Sequence, residues 1–205
     1  MTYSDLDRTK KAFIFELDDV LYPQKDYLLQ VYYLFAGFME YTELLDEKVL
    51  LKLMTETYFS AGPDAVFDEI QSKFKIEGKY RSNLTHLMAN AKLPLPLLLY
   101  EPMLTLLQDI VIDRKQISIV TAGDAQLQLN KIKQTEWHGL DKYLTCYFES
   151  EFTDMANTDV ITMLLQKHGL VAQDVLMIGK DGAIEKLAAK HHVNVMDVES
   201  FLTTH

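Results

Sequence analysis

The sequence predicts an α/β protein, a doubly wound parallel sheet with an all-helical segment inserted after the first strand. Three observations carry this prediction. Lys11-Ala12-Phe13-Ile14-Phe15 is a short apolar run followed at once by Glu16, Asp18 and Asp19, the pattern of a buried strand whose carboxyl end carries charge. After Tyr22-Pro23 strand-like runs vanish until about Gln116, and apolar residues recur instead at helical spacing. From Gln116 onward β-rich runs alternate with helical ones, which implies parallel strands joined by right-handed crossovers.

The elements follow in order. Asp26 is suited to cap a helix from Tyr27 towards Thr42, with Leu28, Val31, Tyr32 and Phe35 on one face. Asp46 to Phe59 is a second helix, ended by Ser60-Ala61-Gly62-Pro63. Pro63 opens a third, to Phe74, and Ser82 is placed to cap a fourth over Asn83 to Ala91. Leu93-Pro94-Leu95-Pro96 breaks the pattern. A crossover needs a single helix, so four in succession imply a separate layer. The tyrosines and phenylalanines between Tyr27 and Tyr41 read as the core of that layer, with hydroxyls reaching water.

Pro102 starts a helix through Ile110, and Gln116 to Thr121 is a second strand that turns at Ala122-Gly123. Asp124 to Gln134 is a helix with Leu127, Leu129 and Ile132 as its apolar contacts. Tyr143 to Phe148 is a third strand. Asn157 or Thr158 caps a helix that ends at His168-Gly169. Val175 to Gly179, Gly182 to Lys190 and Val193 to Val198 complete the alternation as strand, helix and strand.

Thirty acidic and twenty basic residues give a net charge of −10, which repels nucleic acid and anionic membranes. Neither class of partner is expected. Cys146 is the single cysteine; with no internal disulfide to make, it reads as a structural thiol in a reducing compartment. The polar start of the chain is followed by an apolar run too short for a signal peptide, and no run has the length of a membrane span. The expected location is therefore cytoplasmic.

In an open α/β sheet, ligands bind outside the carboxyl ends of the strands, so Glu16 and Asp18 are the first candidates for chemistry. The stretch Phe13 to Val20 resembles the nucleophile motif of the haloacid dehalogenase (HAD) superfamily, in which four apolar residues precede Asp-x-Asp-x-Thr or Asp-x-Asp-x-Val. Glu16 falls on the nucleophile, Asp18 on the general acid and Val20 on the Thr/Val position. The resemblance extends along nearly the whole chain. It implies a Rossmann-like HAD core formed by residues 1–19 and 98–205 and a helical cap formed by residues 20–97. Thr121-Ala122-Gly123 takes the place of the second motif, whose hydroxyl and backbone N–H groups bind a phosphoryl oxygen, and Tyr22 stands where the cap hinge begins.

Two further motifs depart from the family. Met155 occupies the place of the third-motif lysine, and a thioether carries no charge. Gly179-Lys180-Asp181-Gly182-Ala183-Ile184-Glu185 matches the fourth motif with Lys180 at the position of an acidic Mg²⁺ ligand. The expected site is therefore Glu16, Asp18, Thr121 and Lys180 as catalytic positions, with Tyr22, Ala122 and Gly123 contacting substrate. No metal or other cofactor is expected, because Lys180 is read as bridging Glu16 and Asp18 in the place of Mg²⁺. Should an ion bind, Glu16, Asp18 and Asp181 are its candidate ligands.

The leading expectation is a HAD-like protein with an inactive or severely impaired site, kept to bind a ligand such as a small phosphorylated metabolite or anion, or a protein partner. The alternative is a divergent Mg²⁺-dependent phosphatase of a small metabolite. A third reading leaves the fold as an interaction scaffold.

Overall fold

Strand β1, Ala12–Phe15, lies at the centre of the molecule's sheet, and Phe13, Ile14 and Phe15 have no exposed surface. Strands covered on both faces read as continuous apolar runs. This computed structural model describes residues 1–152, 158–180 and 182–203. Four more strands join β1 in one parallel sheet: β3, Gln116–Thr121; β5, Leu144–Phe148; β6, Val175–Gly179; and β7, Asn194–Asp197. Their order is β5-β3-β1-β6-β7. The chain leaves β1 towards β3 and leaves β6 in the opposite direction, so the winding reverses between β1 and β6. Such a reversal opens a crevice at the carboxyl ends of the strands.

Side chains alternate across β1. Ala12 and Ile14 join Val120, Tyr147, Val175 and Met177 in a core that is closed by helix α7, Val160–His168, and helix α8, Ala183–Lys190. Phe13 lies with the Tyr3 ring, their centroids 6.0 Å apart. Helix α5, Glu101–Ile112, contributes Met103, Leu106, Leu107 and Ile110 to the buried interior. Pro102 sits at its second position, where no donor is lost. Sequence spacing misses a two-stranded parallel ribbon, β2 at Leu97–Leu98 with β4 at Thr135–Glu136, and a short helix α9, Glu199–Leu202. Elements of two to four residues carry no period to detect.

The chain divides into two compact units, Met1–Gln24 with Leu97–His205, and Lys25–Pro96. The second is helical: α1, Gln24–Glu43; α2, Glu47–Ala61; α3, Val66–Phe74; and α4, Tyr80–Asn90. Tyr27, Tyr32 and Phe35 are fully buried there, the Tyr27 hydroxyl donating to the Met88 carbonyl, while Tyr33 and Tyr41 face solvent. Helix α1 begins at Gln24, not after Asp26, because the Asp19 carboxylate accepts the Gln24 N–H at 2.9 Å. Helix α3 is entered through a 3₁₀ turn at Pro63–Ala65. Helix α4 begins at Tyr80, ahead of Ser82, since the carbonyls of Glu77, Gly78 and Lys79 already accept from the N–H groups of residues 80 to 82. Asp46 caps α2 through the Val49 N–H at 3.0 Å.

Helix α7 is capped by Asp159, which accepts the Thr162 N–H at 2.9 Å. Thr158 is not the cap, and Asn157 lies outside the described residues. No described helix is long and apolar enough to cross a membrane.

Candidate active site

Glu16 follows directly on β1 and its N–H continues the ladder by donating to the Ile178 carbonyl at 3.2 Å. The next residues form a tight turn. Asp19 has φ 56°, a left-handed conformation that aspartate tolerates, and its N–H donates to the Tyr22 carbonyl at 2.9 Å. The turn holds Glu16 and Asp18 at the crevice. With Leu17, Val120, Thr121, Ala122 and Gly182 they line a cavity of about 200 Å³. Sequence-predicted positions from β1 and from the turn after β3 thus meet. Gly123 is exposed in that turn, with φ 92°.

The Glu16 carboxylate fits because glycines surround it. A Cβ on Gly182 would stand 2.8 Å from Glu16 Oε1, and one on Gly179 would stand 3.0 Å from Oε2 and 2.7 Å from Glu185 Oε1. Contacts under 3.0 Å are closer than real side chains sustain. Oε2 also accepts the Lys180 backbone N–H at 3.1 Å, and Glu185 accepts the Gly182 N–H at the same distance. Burial pushes the Glu16 carboxyl above its ordinary range. The Lys180 N–H opposes that shift, while the nearby Glu185 and Asp18 charges add to it.

The Lys180 side chain corrects the sequence expectation. Its ammonium lies 3.1 Å from Glu199 Oε1 and is half exposed, so it does not bridge Glu16 and Asp18. A lysine at the strand end follows the backbone outwards here, where Glu199 at the start of α9 receives it. Tyr22 is corrected too. It has no exposed surface and does not line the cavity; its hydroxyl donates to Asp18 Oδ1 at 2.7 Å. Its hydroxyl is thus directed at the carboxylate.

The cation that does reach Asp18 is Lys131, on helix α6, Ala125–Gln134. Its Nζ lies 2.6 Å from Asp18 Oδ2, and the side chain is 2% exposed. Gln128 Nε2 donates to the same oxygen at 3.3 Å and to the Ala122 carbonyl at 3.0 Å. Sequence reasoning takes Leu127, Leu129 and Ile132 as the inward face of α6, yet those three are only partly buried. The buried stripe is polar: Gln128, Lys131 and, just past the helix, Thr135. Buried polar groups are mostly partnered, and these find Asp18, Ala122 and the Lys131 carbonyl, with Gln128 Oε1 left without a hydrogen-bond partner among the described residues. Their spacing of three and four residues was the readable signal.

Mg²⁺ requires oxygen ligands in near-octahedral array, and three of the four carboxylate oxygens of Glu16 and Asp18 already accept hydrogen bonds. One Asp18 oxygen accepts from Tyr22 and the other from Lys131, and one Glu16 oxygen accepts a backbone N–H. No cluster of three or more His, Cys, Asp or Glu among the described residues is arranged to hold a metal ion. Met155 and Asp181 lie outside the described residues.

No family model matches the chain, and no curated protein does. Solved structures do. A putative β-phosphoglucomutase from Thermotoga maritima superposes with a TM-score of 0.58 at 12% identity, covering 94% of this chain and 96% of that one. A HAD family hydrolase from Deinococcus radiodurans, with bound phosphate and sodium, gives 0.53 at 16% identity over 93% and 80% of the two chains. The chain has the HAD-like fold. A hydrolase from Streptococcus pneumoniae is similar to the same degree, with a TM-score of 0.53 at 15% identity over 96% and 94%. Glu16 and Asp18 follow β1, Thr121 ends β3 and Gly179 ends β6, the strand ends where the sequence resemblance expects the first, second and fourth motifs, and Lys131 comes from outside them.

Proposed function

We propose that this HAD-like protein binds a small phosphorylated metabolite or related oxoanion at the ends of β1 and β3 without hydrolysing it. The observation that carries the reading is that both carboxylates of the first motif are already engaged internally. Glu16 is wedged between two glycines and takes a backbone N–H, and Asp18 is held by Tyr22 and Lys131. Phosphoryl transfer depends on positioning and on charge stabilisation. The extra methylene of Glu16 displaces its carboxylate by about 1 Å relative to aspartate, a misplacement that costs on the order of 10²-fold in rate. The Thr121 hydroxyl and the turn after it remain suited to an anion. Cys146 is half-buried with its thiol pushed up to about 11 by burial, which keeps it protonated at neutral pH, and the reading includes a cytoplasmic location.

One observation favours a second reading, a divergent hydrolase: the Glu16 carboxylate lines the cavity together with Thr121. A panel of phosphorylated metabolites assayed with Mg²⁺ separates the two. Binding without turnover is expected of the wild type, and turnover only in Glu16→Asp/Met155→Lys/Lys180→Asp identifies a disabled phosphatase. Sustained wild-type hydrolysis that Asp18→Asn abolishes overturns the proposal.

A further inference from the structure

Two charged residues are buried among the described residues, Lys10 and Lys131. Lys10 lies before the start of β1 and donates to the Gln173 carbonyl at 2.8 Å, a local tie between neighbouring segments. Lys131 is different. It comes from a helix 113 residues away in sequence to meet a carboxylate on the wall of the strand-end cavity. We infer that Lys131 is the resident cation of this pocket: by neutralising Asp18 it allows a small oxoanion to be held there without a divalent metal.

The inference rests on the binding reading above and deepens it. Charge accounting leads to it. Glu16 and Asp18 both line the cavity, and two uncompensated carboxylates on one wall repel any oxoanion. The Lys180 ammonium is committed to Glu199 outside the pocket, and Met155 brings no charge. Lys131 cancels one of the two charges at 2.6 Å, where burial strengthens the pair's field relative to water. Gln128, one turn earlier on the same face, donates to the same Asp18 oxygen, so the carboxylate is turned towards α6. Tyr22 fixes its other oxygen. Lys131 is thus a positioning and neutralising residue that acts through Asp18, and its burial keeps it from touching the anion itself. The arrangement removes, from within the chain, one of the two charges that oppose an oxoanion, and leaves Glu16 as the single carboxylate charge on the cavity wall.

The test is calorimetric titration of inorganic phosphate into the full chain, in EDTA and again in excess Mg²⁺. Phosphate is expected to bind with the same affinity in both. Lys131→Met is expected to weaken binding by about tenfold or more, from one restored negative charge beside the ligand. Lys131→Arg, which keeps the charge, is expected to retain most of the affinity. The deciding variant is Asp18→Asn/Lys131→Met. It removes both charges, folds without an unpaired buried ion, and is expected to recover binding to within about threefold of wild type. A lysine that contacted phosphate directly would give no such recovery.

Failure of the double variant to recover, unchanged binding in Lys131→Met, or phosphate binding that requires Mg²⁺ each overturns the inference while leaving the binding reading in place. Absence of phosphate binding by the wild type overturns that reading and the inference together.

Discussion

At the scale of single residues, the site is a set of carboxylates with different fates. Asp18 is satisfied on both oxygens, whereas Glu16 is buried with one N–H and two acidic neighbours. A carboxyl raised above its unfolded value costs stability when ionised. That cost is absent below the unfolded value and grows as pH rises through the folded one. Glu16→Gln is therefore expected to raise the urea midpoint at neutral pH, with the gain vanishing in acid. Chemical denaturation at neutral and at acidic pH checks both the gain and its sign. The identity of Glu16 and Asp18 as the chemically loaded positions was legible from their place after an apolar run. The direction of the Lys180 side chain was not, because it depends on Glu199, and no local spacing connects the two. Lys131 was missed for a related reason: its partner lies more than a hundred residues away, and only the polar stripe on its helix hinted at an inward role.

At the scale of elements, two helices illustrate what holds the strand-end region. Helix α6 is anchored by polar residues, while its leucines are left partly exposed. Helix α7 is anchored at its start by Asp159, which accepts the Thr162 N–H and lies 2.6 Å from His191 Nε2, just past the end of α8. Burial alone would raise the Asp159 carboxyl. The Thr162 N–H, the His191 ring and the Thr162 hydroxyl together outweigh it and leave the group below its ordinary range. A depressed carboxyl contributes stability above its unfolded pKa of about 4, and the contribution is lost as pH falls through the folded value. Asp159→Ala is expected to lower stability by about 1–2 kcal/mol at neutral pH and by progressively less in acid. Thermal melts of both proteins across that range test it. The strands of the main sheet were legible to within a residue or two because β1, β3 and β6 are buried on both faces and leave unbroken apolar runs. Helix starts were less so: α1 and α4 begin three residues early, where a neighbouring carboxylate or carbonyl satisfies donors that sequence alone leaves unassigned.

At the scale of the whole molecule, the fold was readable because the alternation of strands and helices, and the long helical interruption, survive any error in element ends. The strand order β5-β3-β1-β6-β7 was not readable, because alternation with right-handed crossovers fits more than one order. A net charge of −10 surrounds a strand-end cavity of about 200 Å³. Long polyanions are expected to be excluded, so the protein should pass through a heparin column unretained at about 50 mM salt, where cationic surfaces bind most strongly. Retention there would reveal a basic surface that the composition does not announce. Gly179 and Gly182 have no side chains where the glutamate lies, so replacing Glu16 by aspartate leaves a methylene-sized void with nothing beside it to close the gap. The glutamate and its two glycines are therefore coupled: a side chain at Gly182 meets Glu16, one at Gly179 meets Glu16 and Glu185, and a shorter acid at position 16 leaves a gap that neither glycine fills.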